Sequence, residues 1–69
     1  MVRERYLQVV MDIIMSKKCV TRRYIVDQLV ATFNLSFKQA ERATAETLES
    51  LIKRGLITRK GRGVYCWLG

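Results

Sequence analysis

Helix-breaking residues are confined to one end of this chain. It has no proline, and its four glycines, Gly55, Gly61, Gly63 and Gly69, all stand at or after Gly55. Glycine and proline are the strongest local punctuation a sequence carries. The stretch up to Arg54 is therefore free to form helices, and tight turns crowd towards the C-terminus. With 69 residues the chain makes one domain, residues 1–69. A chain of this size buries only about 60% of its unfolded surface, so its core is small. Hydrophobic residues make up 49% of the sequence, which supplies that core and argues against intrinsic disorder.

Three helices are predicted. The first runs from about Val2 to Ser16, where Leu7, Val10 and Ile14 and the row Tyr6, Val9 and Ile13 recur at helical spacing. Arg3, Glu4, Gln8 and Asp12 lie on or near the opposite face, and Lys17 and Lys18 suit the negative end of the helix dipole. Thr21 is an N-cap for a second helix that runs to about Phe33, with Ile25, Val26, Leu29, Val30 and Phe33 inward and Asn34-Leu35 as the turn. Ser36 starts the third, and Ser36 with Gln39 has the spacing of a capping box. Phe37, Ala40, Thr44, Leu48, Leu51 and Ile52 should line its buried face, and Gly55 is the left-handed stop.

Two strands follow, Leu56–Arg59 and Val64–Leu68, joined by the basic turn Lys60-Gly61-Arg62-Gly63. Tyr65 and Trp67 alternate with Val64, Cys66 and Leu68, so one set faces the helices; Trp67 is expected to cover the core. Cys19-Val20 is an apolar step able to add a short third strand. The cysteines are far apart and the chain has no histidine, so a Cys/His zinc site is not available. Cys19 and Cys66 read as small apolar residues of a protein in a reducing compartment, with one disulfide between them as the alternative. The run Tyr6–Met15 is too short to span a bilayer and is interrupted by Gln8 and Asp12, so a cytoplasmic protein is expected, with no membrane.

Charge gives the first indication of function. Thirteen Lys and Arg face six Asp and Glu, a net charge of +7. A surplus of this size in a small domain points to a polyanionic partner, most simply nucleic acid. Charge alone does not separate DNA from RNA. Catalysis is not indicated: there is no histidine, no paired-carboxylate motif, no Gly-x-Ser-x-Gly and no phosphate-binding loop. No cofactor and no small-molecule substrate are expected.

With the helix SFKQAERATAETLESLIKRG followed by LITRKGRGVYCWLG as the matching residues, the chain resembles the winged helix-turn-helix family of DNA-binding proteins over essentially its whole length. The fold class this implies is mainly α (α+β): three helices, then a two-stranded β-hairpin wing, with Cys19-Val20 as a third strand. The small size is similar to that of the minimal regulators carried by archaeal viruses and plasmids. The resemblance implies a sequence-specific regulator of transcription that binds double-stranded DNA. Its third helix would lie in the major groove and its wing on the backbone or minor groove. Many such proteins are homodimers, and the apolar first helix, with Tyr6, Met11 and Met15 at its margins, is the candidate interface.

Candidate DNA-binding residues follow from their chemistry. Gln39 can pair with adenine and Arg42 with guanine, while Ala43 allows close approach or meets a thymine methyl. Ser36 and Lys38, at the helix start, suit phosphate. Arg22 and Arg23 bracket the start of the second helix and suit the DNA backbone. Arg59, Lys60 and Arg62 form the hairpin cluster, with Arg62 the residue for a minor groove. Glu41, Glu46 and Glu49 repel phosphate, so the later half of the third helix should leave the groove. The competing readings are a solvated polar face for the helix and charge protection of an edge strand for the hairpin. The alternative function is a winged-helix protein-interaction module that binds no nucleic acid.

Overall fold

A computed structural model describes residues 4–69 of the chain. The expected helix start at Val2 lies outside the described residues. In chain order the elements are α1 (Glu4–Lys17), β1 (Cys19–Thr21), α2 (Arg22–Phe33), α3 (Phe37–Lys53), β2 (Ile57–Gly61) and β3 (Val64–Trp67). The described residues thus form three helices and a three-stranded antiparallel sheet of order β1-β3-β2.

Local chemistry sets the helix boundaries. Thr21 stands in extended backbone, and its Oγ1 accepts the Tyr24 N–H at 3.1 Å. Asn34 ends α2 in the left-handed region at φ 54°. The capping box forms in both directions: Ser36 Oγ accepts the Gln39 N–H at 3.2 Å, and Gln39 Oε1 accepts the Ser36 N–H at 3.1 Å. Such caps satisfy donors that a helix leaves orphaned, at about 1 kcal/mol each. Gly55, at φ 74°, turns the chain out of α3 and donates its N–H to Ile52 O at 2.9 Å. Lys18 is also left-handed, at φ 71°. Bonds on both sides hold it there: its N–H reaches Ile14 O, and its carbonyl accepts the Trp67 N–H, each at 2.7 Å.

The third strand at Cys19-Val20 is present and includes Thr21. It pairs with β3 in the register Cys19↔Cys66, Val20↔Tyr65 and Thr21↔Val64. Direct opposition of the two cysteines corrects the expectation of two free thiols: Cys19 and Cys66 form a disulfide. The bond ties the first strand to the last across a sequence separation of 47. Cys66 is buried, whereas Cys19 is exposed.

The core lies where all three helices meet the sheet. Val10 and Ile14 enter it from α1, Ile25, Val26 and Leu29 from α2, Leu48 and Leu51 from α3, and Ile57 and Tyr65 from the sheet. Trp67 is half-buried against this cluster, as expected. The buried side of α3 is Ala40, Ala43, Thr44, Thr47, Leu48 and Leu51. Three expectations are corrected here. Ala43 is inside, at 8% exposure, while Phe37 and Ile52 are outside, at 48% and 42%. At 100° per residue, the buried arc is rotated by roughly 40° from the one centred on Phe37, Thr44, Leu48 and Leu51. Short side chains at positions 40 and 43 bring α3 close to its neighbours, and the bulky ring of Phe37 falls at the rim.

Among the described residues no helix is long and apolar enough to cross a membrane.

Candidate nucleic-acid interface

The first two turns of α3 and the first residue of α2 enclose an open groove lined by Arg22, Lys38, Gln39, Glu41, Arg42 and Ala45. Arg42 is exposed, as its proposed role requires, and so are Lys38 and Gln39. Ala43 has left this surface for the core; Ala45 is the small residue in the groove. Sequence reasoning missed Ala45. A helical wheel centred on Ala40 and Thr47 places it beside Lys38 and Arg42.

Arg22 also belongs to a second contact. Its backbone N–H donates to Gly63 O at 2.7 Å. The β2–β3 turn, Arg62-Gly63, is thereby fastened to the start of α2, one residue from exposed Arg62. Gly63, at φ 68°, takes the left-handed backbone this turn needs, and Gly61 does not. The pairing of β2 with β3 slips between Arg59 and Gly61, so Lys60 bulges from the ladder. Bulges bend a strand and re-aim its side chains. Arg59 folds back instead: its Nε donates to Gly61 O at 3.3 Å.

The candidate cations differ in how free they are. Arg23 is paired with Asp27 at 3.3 Å, and its guanidinium lies 5.5 Å from the centroid of the Phe37 ring. At the far end of α3, Lys53 pairs with Glu49 at 3.4 Å. Among the described residues, Arg22, Lys38, Arg42, Lys60 and Arg62 form no ion pair. Glu41 shares the groove wall with Arg22, Lys38 and Arg42 without an ion pair to any of them. Lys17 stands over the Tyr24 ring at 4.9 Å, which places a further cation beside α2.

The two polar residues at the start of α3 are partly committed to structure. Ser36 Oγ already accepts the Gln39 N–H, but its own hydroxyl proton is free for a phosphate oxygen. Gln39 Oε1 caps the Ser36 N–H. A two-point contact with adenine needs that same oxygen as an acceptor, so Gln39 would have to share or release its cap. Its Nε2 donor carries no such commitment.

The geometry therefore joins three segments that are distant in sequence. Arg22 bonds the hairpin through its backbone N–H and also lines the α3 groove. The groove at the start of α3 brings the side-chain donors of Gln39 and Arg42 together with Lys38 and Arg22. No family model, no curated protein and no solved structure matches the chain.

Proposed function

We propose that the protein is a sequence-specific double-stranded DNA-binding regulator of transcription, laid out as a winged helix-turn-helix. In this reading α2 and α3 form the helix-turn-helix, and β2 and β3 form the wing. The observation that carries it is the placement of Arg22 between the α3 groove and the hairpin turn. The first turns of α3 enter the major groove. Arg42 donates to guanine O6 and N7, and the free amide of Gln39 donates to a neighbouring acceptor. Lys38, Ser36 and Arg22 hold the flanking phosphates. Arg62, at the wing turn, meets the adjacent minor groove, where the potential is most negative over narrow tracts. Glu46 and Glu49 lie farther along α3, where the helix leaves the DNA.

A single module offers few base contacts, so a homodimer on a two-fold site would raise affinity by joining two modules. Rounds of selection from a randomised duplex pool test the proposal. The expected product is a consensus with guanine at the Arg42 position, palindromic for a homodimer. Recovery of unrelated duplexes contradicts sequence-specific recognition.

A further inference from the structure

Phe37 is a large apolar ring left 48% exposed at the first position of α3, where burial in the small core would have been worth more. Its neighbours on both sides, Ser36 and Lys38, are exposed, and Glu41, one turn on, lines the groove. The ring has a cationic neighbour. The Arg23 guanidinium stands over it at 5.5 Å, and Arg23 is itself paired with Asp27. A cation over an aromatic face is a favourable contact at an exposed site. Phe37 does not itself line the cationic groove, but it adjoins Lys38, which does, and an exposed ring there meets few apolar partners on a polyanion. In the major groove of a duplex the apolar group on offer is the C5-methyl of thymine.

From this juxtaposition we propose that Phe37 is a specificity-determining residue that reads a thymine methyl beside the base contacted by Arg42. The proposal rests on the duplex-binding reading above. It adds an apolar contact to a surface otherwise made of charges and hydrogen-bond donors. Arg23, lying over the same ring, is then close to the phosphate that flanks the thymine.

The test uses the duplex recovered from the randomised pool and copies in which each thymine in turn is replaced by uracil. The replacement removes the methyl and keeps the pairing. Dissociation constants are measured by fluorescence anisotropy for the wild type, Phe37→Ala and Phe37→Leu, with far-UV circular dichroism as the check on folding. One uracil position should weaken the wild type about fourfold, the worth of one buried methyl. Phe37→Ala should bind the parent duplex about tenfold more weakly and be indifferent to that uracil. Phe37→Leu should keep part of the preference. Wild-type binding that no uracil weakens overturns the assignment, and needs no variant to show it. So does a folded Phe37→Ala that keeps the wild-type uracil sensitivity, or one that only changes the oligomeric state. These outcomes leave duplex binding itself intact. Loss of salt-dependent wild-type affinity for any duplex would overturn the functional proposal and this assignment together.

Discussion

Reduction of the Cys19–Cys66 bond should remove much of the stability of this fold. The bond closes a loop with a sequence separation of 47. Loop-closure entropy for that length corresponds to about 4 kcal/mol at 25 °C. A chain of 69 residues is stabilised by roughly 3–10 kcal/mol in total. The cross-link is therefore comparable with everything else that holds the native state. At this size 1 kcal/mol moves the melting midpoint by about 4–8 °C, so reduction should lower it by roughly 15–30 °C. The loss also bears on the proposed interface, because β3 carries both the bond to β1 and the turn that anchors on Arg22. The assay is thermal unfolding followed by circular dichroism, with and without a phosphine reductant, and thiol titration to count free cysteines. The double variant Cys19→Ala/Cys66→Ala should melt like the reduced protein and ignore the reductant. A shift under about 4 °C on complete reduction, less than 1 kcal/mol, would refute the loop argument.

Other consequences concern single side chains. Arg42→Ala should weaken binding to the selected duplex by about 1–3 kcal/mol and relax its preference at one base pair, read by anisotropy on duplexes changed at that position. Arg62→Ala should instead weaken all duplexes about equally and reduce the steepness of the salt dependence by about one. Thr44 and Thr47 are fully buried, and their hydroxyls have no hydrogen-bond partner among the described residues. Thr44→Val and Thr47→Val replace each hydroxyl with a methyl of similar shape. Each should be neutral or stabilising, by up to about 1 kcal/mol in denaturant unfolding. A loss larger than that would mean that the hydroxyls are satisfied.

Features written in neighbouring residues were legible before the structure. The caps at Thr21 and Ser36, the left-handed stop at Gly55 and the basic turn before β3 all depend on side chains within four positions of one another. Those boundaries agree within a residue or two. The orientation of α3 was less legible. Four of the six residues on its inward face are alanines and threonines, whose weak hydrophobicity gives little signal, and the ring of Phe37 drew the predicted face towards itself. Ala43 and Phe37 changed sides as a result. The disulfide depends on the register of β1 against β3, two strands joined only through the whole intervening chain. Spacing in the sequence carries no record of that register. Of the groove, Arg22, Lys38, Gln39 and Arg42 were named from the sequence, while Ala45 required the corrected helical face.

In the proposed function, cations around α3 and the hairpin that form no ion pair among the described residues engage the phosphates of a duplex. The most direct test of that engagement is the affinity for a random-sequence duplex measured across a range of salt concentrations. Contact with three or more phosphates predicts that log K falls against log[salt] with a slope of about −3 or steeper, at about −0.9 per contact. An affinity that does not change with salt would contradict it.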